Sequence, residues 1–228
     1  MAEIFASDFE TGDLTDFDSS TTSGDGSVSA STDAKKTGSY GCEFSSASSG
    51  DGYLTQYVGG DEASEFWLGF HVYLSSDISI ANYGSVNLFR LRDDDFGYSY
   101  FTAYREASGD GPPTRWKTWD GQSTTNFSTD EWHWVVLHVR WNDSTTGGSE
   151  LKVDGDTLYT DFNNDMSGKV YLRDLFRIGS CPDGAYMYMD NIILDDASEP
   201  TEPTDAGGTT APTAVFSGPF GGPMIGCF

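Results

Sequence analysis

The sequence predicts an all-β protein, an antiparallel jelly-roll β-sandwich with an extended C-terminal tail. Two long runs carry a period-two apolar pattern, and glycine-rich turn pieces such as SGDG, GGDE, SGDGPP and STTGG interrupt the chain at short intervals. No 12-residue stretch shows a helical stripe. Many short strands joined by tight turns bury their apolar faces only by packing sheet against sheet.

In chain order the predicted strands cover residues 3–9, 40–44, 53–58, 65–74, 86–91, 98–105, 115–119, 131–141, 151–153, 157–160, 175–178 and 187–194. Each is a β-branched, aromatic or alternating run bounded by turn residues. Two are long enough to define faces. Run 65–74, EFWLGFHVYL, sets Phe66, Leu68, Phe70, Val72 and Leu74 on one side and Trp67, His71 and Tyr73 on the other. Run 131–141, EWHWVVLHVRW, sets Val135, Leu137, Val139 and Trp141 against Trp134, Val136, His138 and Arg140. The purely apolar sets are the predicted core.

The composition changes after residue 196. Residues 197–213 form a Pro/Thr/Gly-rich linker expected to be extended, and 214–228 is an apolar segment. Prolines and glycines exclude that last segment from the sandwich ladders. Its Phe216, Phe220, Ile225 and Phe228 are therefore candidate anchoring or oligomerisation residues that need a groove on another subunit.

With 36 acidic against 12 basic residues the formal net charge is −24. Such a surface repels phosphate backbones and anionic lipid, so nucleic acid and membrane insertion are excluded as expectations, and a charged partner should be cationic or a metal. Cys42, Cys181 and Cys227 are widely spaced with no CxxC, which writes neither a disulfide framework nor a zinc site. One bridge, such as Cys42 to Cys181, stays open. The start, MAEIFASDFE, lacks a basic and then apolar leader, so synthesis without a cleavable signal is expected.

EWHWVVLHVRW, GGSELKVDGDTLYT, LFRIGS and AYMYMDNIILDD, taken in succession, resemble the C-terminal half of the concanavalin A-like lectin/glucanase superfamily, laminin-G-like branch. DFETGDLTDF followed by AKKTGSYGCEF is similar to the opening of such jelly rolls. The resemblance covers residues 3–196 and implies one jelly-roll domain over 1–196. It is weakly specific for function, because the fold hosts lectins, glycanases, adhesion modules and virion proteins. It also implies a structural Ca2+ held by Glu10 and Asp190 with loop carbonyls near Thr11 and Gly12, since calcium takes six to eight oxygens. Simple turn capping by the same carboxylates is the alternative.

Other acidic pieces are weaker. Asp161, Asn163 and Asp165 start like an EF-hand loop, but Met166 and Leu172 stand where the glycine and the closing glutamate belong. Asp93, Asp94 and Asp95 read as a solvated turn.

The face opposite the core carries Trp67, His71, Tyr73, Trp134, His138 and Arg140, with Tyr98, Tyr100 and Tyr104 expected on a nearby strand. Sugar rings stack on aromatic faces while His and Arg hydrogen-bond hydroxyls, so these six residues are the candidate carbohydrate-binding site. Cross-strand packing, or cover by a neighbouring subunit, is the plain alternative. The Glu-x-Asp-x-x-Glu string of the superfamily's glucanases does not occur. Asp154 and Asp156 fall in a hairpin, and His71, His133 and His138 have no Ser or Cys motif beside them. No catalytic residue is assigned, and the chain is expected not to be an enzyme.

Phage structural proteins with such domains are similar to this chain. The resemblance implies a virion surface protein, as capsid decoration, fibre or tail adhesion component. Such a protein would be made in the host cytoplasm, be homo-oligomeric, and bind capsid or other virion proteins and a host surface glycan. The alternative is an extracellular lectin or carbohydrate-binding module without a virion role.

Overall fold

Fifteen antiparallel strands and no helix make up the described residues of the computed structural model, which are 3–46, 51–57, 65–80, 85–92, 98–106, 108–118, 121–140, 146–164, 175–178 and 185–204. In order they are β1 (Glu3–Ser7), β2 (Ser19–Ser23), β3 (Ser27–Ser31), β4 (Gly41–Ser46), β5 (Asp51–Tyr57), β6 (Glu65–Leu74), β7 (Ser85–Arg92) and β8 (Tyr98–Tyr104). Then follow β9 (Arg115–Lys117), β10 (Gln122–Asn126), β11 (Trp132–Arg140), β12 (Gly147–Val153), β13 (Asp156–Asn164), β14 (Leu175–Ile178) and β15 (Ala185–Asp195). One sheet of eight runs β13-β12-β11-β6-β15-β4-β3, with β1 also on β15. The other, of seven, runs β10-β9-β8-β7-β14-β5-β2. This is the all-β jelly-roll sandwich that the sequence predicts.

The two long runs lie side by side at the centre of the eight-stranded sheet. β6 and β11 pair over nine positions, from Glu65 opposite Arg140 to Tyr73 opposite Trp132. Their apolar faces turn inward as predicted: Phe66, Leu68, Phe70, Val72, Val135, Leu137 and Val139 are at most 2% exposed. Met187, Met189, Ile192 and Leu194 of β15 join them, against Leu54, Val86, Leu88, Phe89, Phe101 and Trp116 from the other sheet. Each large side chain so buried contributes roughly 1.5–3 kcal/mol relative to exposure.

β2, β3 and β10 were not predicted. Their sequences, SSTTS, SVSAS and QSTTN, carry little apolar alternation, because all three lie at sheet edges with one side to solvent. β8 belongs to the seven-stranded sheet, so Tyr98, Tyr100 and Tyr104 are not beside the β6 and β11 aromatics as expected. Alternation fixes the face of a strand and says nothing of which sheet it joins. Tyr104 instead carries the Lys117 ammonium over its ring at 4.7 Å.

β15 contains a bulge. Asp190 pairs with His71, but the next partner of β6, Gly69, meets Ile193, so one extra residue is inserted. Asn191 takes the left-handed backbone with φ 52°, which Asn tolerates better than most residues. Cys42 is a buried free thiol. Trp141, Asp93, Asp94, Asp95, Asp165, Cys181, Cys227 and the candidate oligomerisation residues Phe216, Phe220, Ile225 and Phe228 lie outside the described residues.

Candidate functional site

Period two places Trp67, Gly69, His71 and Tyr73 of β6 on the outer face of the eight-stranded sheet. Across the ladder they meet His138, Val136, Trp134 and Trp132 of β11 respectively. On the other side Tyr73 meets Tyr188 and His71 meets Asp190 of β15. All six predicted carbohydrate-binding residues therefore share one face, but they form two groups.

The first group is closed on itself. The rings of Trp67 and His138 stack at 4.3 Å and 11°, and Phe162 packs on His138 at 5.0 Å. Arg140 lies over Phe162 at 5.0 Å. Glu65 Oε1 accepts from His138 Nε2 at 2.8 Å and from Arg140 at 2.7 Å. Burial opposes ionisation of Glu65, yet the Arg140 and His138 donors hold it below its ordinary value. Burial pushes the His138 imidazole down, against the pull of Glu65. These faces and charges are spent on each other.

The second group is centred on His71. Trp134 lies 4.8 Å away and Trp132 6.4 Å edge-on, while Tyr73 contacts Trp132 at 5.8 Å and Tyr188 at 5.4 Å. Tyr186 stacks on Tyr188 at 4.9 Å. Trp132, Tyr186 and Tyr188 were missed. The parity of run 131–141 already put Trp132 with Trp134, and AYMYM alternates Tyr with the core methionines.

Burial pushes the His71 imidazole below its ordinary value, with the Glu202 carboxylate opposing. Nε2 lies 3.1 Å from Glu202, and Nδ1 faces the Asn191 amide nitrogen, a donor, at 3.4 Å. Those partners assign a neutral ring with its proton on Nε2. Burial raises Tyr73 and Tyr188, so both phenols keep their protons at neutral pH. Trp132 Nε1 is buried with no hydrogen-bond partner among the described residues. A neutral base, two protonated phenols and an unused indole donor thus sit within one aromatic cluster.

The segment after β15 lies on this face. Ala197 and Ser198 donate their backbone N–H groups to Asp195 and turn the chain back. Lys152 of β12 then donates to Glu199, and Glu202 meets His71. A Cβ on Gly69 would fall 2.7 Å from Trp134 and 3.0 Å from Pro200, so the bare glycine admits both.

A third histidine does something else. Ser128 Oγ is 3.1 Å from His133 Nε2, and His133 Nδ1 is 2.7 Å from Asp154, a serine, histidine and aspartate in order that sequence reading did not find. Nε2 also faces the Ser128 carbonyl at 3.2 Å. With both nitrogens on acceptors the ring favours two protons, and although burial alone would lower it, Asp154 holds it above its ordinary value. A ring whose Nε2 donates to the Ser128 carbonyl has no lone pair there for the serine proton. The cluster ties β11 to the β12–β13 hairpin, where Asp154 also accepts from Trp134 N at 2.9 Å.

The residues expected to hold calcium do not fit an ion cage. Asp190 accepts the backbone N–H groups of Lys36, Thr37 and Asn191, and Glu10 accepts those of Ser39 and Tyr40. Both carboxylates are filled by donors from the 36–40 loop, the turn-capping alternative. Burial pushes the Asp190 carboxyl up to about 7. Among the described residues no group of three or more His, Cys, Asp or Glu side chains is placed to hold a metal ion.

The frame around this face is an antiparallel jelly-roll sandwich, the fold that the sequence predicts. No family model and no curated protein matches the chain. Among solved structures, an endo-β-1,4-glucuronan lyase from the fungus Trichoderma reesei is similar with 17% identity and a TM-score of 0.63, over 84% of this chain and 94% of that one. The cellulose-induced protein Cip1 gives 13% identity and a TM-score of 0.61, over 85% and 97%. A botulinum neurotoxin type C structure gives 12% and 0.54, over 86% of this chain and 48% of that one. Likeness at this identity shows the fold.

One expectation is corrected here. The chain was expected not to be an enzyme because it lacks the carboxylate pair of the superfamily's glucanases, yet a polysaccharide lyase shares its fold over most of its length. The missing string marks one hydrolytic chemistry. Elimination does not need it.

Proposed function

We propose that this chain binds a polysaccharide across the outer face of the eight-stranded sheet and cleaves it by β-elimination at His71. The single observation that carries this reading is the His71 cluster, a neutral imidazole flanked by Trp132 and Trp134 with protonated Tyr73 and Tyr188 beside it. The fold shared with a glucuronan lyase supports it. Aromatic faces take the sugar rings. When the saccharide displaces Glu202 the ring proton moves to Nδ1, with the Asn191 amide turned to accept it, so that Nε2 removes the proton α to a uronate carboxylate, the freed electron pair forms the new carbon–carbon double bond, and the glycosidic C–O bond breaks. A tyrosine hydroxyl returns a proton to the leaving oxygen. General acid and base of this kind contribute about 10²–10⁴-fold each.

The net charge of −24 sets a condition on such a substrate. An anionic polymer approaches only where salt screens the repulsion, and the screening length falls from roughly 30 Å at 0.01 M to 3 Å at 1 M. Activity should therefore rise with salt.

The test is ultraviolet detection of unsaturated chain ends after incubation with polyglucuronate, alginate and a neutral β-glucan, at low and high salt. It is run on wild type, on Glu202→Ala, which uncovers His71, and on His71→Ala in that background. Unsaturated product from an acidic polymer, lowered at least about 100-fold by His71→Ala, is the expected result. No unsaturated product from any polymer with either His71-containing protein defeats the proposal. The virion role has no support in the described residues, since the segment that suggested it lies outside them.

A further inference from the structure

The segment lying on the His71 face repeats itself. Residues 199–204 read Glu-Pro-Thr-Glu-Pro-Thr, so a carboxylate recurs every third position. Proline at the same spacing favours a polyproline II strand of three residues per turn and about 3.1 Å per residue, which sets successive carboxylates on one side roughly 9 Å apart. The seating matches that pattern. Glu199 is on Lys152 of β12, Pro200 is beside Trp134 above Gly69, and Glu202 is on His71 of β6.

We propose that residues 198–204 are a built-in competitor for the saccharide, a strap that lays a stiff, regularly charged chain on the site with Glu202 on the His71 nitrogen that the saccharide must reach. This rests on the reading of the His71 face as a saccharide site. It deepens that reading by making the site self-regulated.

Three observations carry it. His71 is 0% exposed although it lies on the outer face of a sheet, while the Glu202 side chain that meets it is 46% exposed. Pro200 and Trp134 both close over Gly69, where a sugar ring would lie against the indole. The strap leaves a donor over, since the Trp132 indole N–H finds no acceptor among the described residues. An acidic saccharide, with oxygens around its ring, can satisfy the donor that Glu202 leaves unused.

The strap is also held weakly enough to leave. Glu199 and Glu202 are each about half exposed, and neither an ion pair to Lys152 nor a hydrogen bond to a neutral His71 holds tightly with such access to water. A seat filled nine-tenths of the time lowers apparent affinity for a competitor about tenfold, because only the free fraction binds.

The experiment compares full-length wild type with Glu199→Ala/Glu202→Ala and with Glu106→Ala/Asp110→Ala, which removes the same charge from elsewhere on the surface. Amide exchange of residues 198–204 is read by mass spectrometry. Calorimetry measures binding of a polyglucuronate oligosaccharide and of a neutral gluco-oligosaccharide of the same length. Expected is faster exchange in the strap variant alone, with affinity for the acidic oligosaccharide raised about tenfold or more and a smaller gain for the neutral one. The strap falls if its amides exchange equally fast in wild type, if the charge-matched control gains as much affinity, or if the released strap leaves acidic affinity unchanged. Should no protein of the set bind either oligosaccharide, the saccharide reading itself fails and the competitor fails with it. Binding without a strap effect overturns the competitor alone.

Discussion

Asp154 allows its contribution to be taken apart. It sits in the β12–β13 turn with φ 54°, followed by Gly155 at φ 85°, a pair of left-handed residues that closes a two-residue hairpin. One carboxylate oxygen accepts Trp134 N at 2.9 Å and the other meets His133 Nδ1 at 2.7 Å. A bond to a charged group is worth about 1.5–3 kcal/mol when buried, reduced here to about 1 kcal/mol for each of the two because the Asp154 side chain is 52% exposed. The left-handed backbone costs Ala a further ~1 kcal/mol.

Asp154→Ala should therefore lose about 3 kcal/mol, Asp154→Gly about 2 kcal/mol because only the bonds go, and Asp154→Asn about 1 kcal/mol because one acceptor and the backbone tolerance survive. Urea unfolding followed by tryptophan fluorescence measures all three. The loss should depend on pH in a definite sense. His133 is raised from 6.5, so its share is full below that value and disappears as pH climbs through the folded value. Asp154 is lowered from 3.8 by His133 and Trp134 against its own burial, so its share is full above 3.8 and disappears as pH falls through the folded value. The wild-type advantage over Asp154→Ala should plateau between 3.8 and 6.5. A loss within about 0.5 kcal/mol for Asp154→Ala, the usual range of an indifferent surface change, refutes the clasp.

Two further predictions concern the frame. Leu137 is fully buried between Leu68 and Leu151 on the neighbouring strands, so Leu137→Ala should cost about 2–5 kcal/mol in the same unfolding assay. Asp190→Ala leaves three backbone N–H groups without their acceptor and should cost about 3 kcal/mol, whereas chelator should leave the wild-type melting temperature unchanged. A melting temperature that falls on chelation would restore calcium to this end of the sandwich.

The fold was legible where one face is dry and the other mixed. β6 was bounded correctly to the residue because ten positions alternate without a break, and β11 to within one residue at each end. Serine- and threonine-rich edge strands carry no such pattern, as β2, β3 and β10 show. Parity also brought all six candidate residues to one face. It could not tell Trp67 and His138, which stack on each other, from His71 and Trp134, which surround a usable imidazole, because that difference depends on Glu65 at the start of β6 meeting Arg140, and on Phe162 and Asn191 arriving from β13 and β15. The contact between His71 and Glu202 joins residues 131 positions apart and has no local signature. Only the repeated Glu-Pro-Thr was visible, and alone it read as a linker.

The bulge in β15 has a bearing on how this sequence can change over time. Met187 and Met189 before it, and Ile192 and Leu194 after it, all reach the core, although the two pairs are out of phase by one position. Loss of Asn191 would restore regular alternation with all four core residues still inward, and would remove only the side chain that meets His71 Nδ1. The extra residue therefore serves the outer face and not the core. A chain descended from this one should keep the count from Met187 to Leu194 while it keeps the His71 site, and is free to shed a residue there once the site is lost.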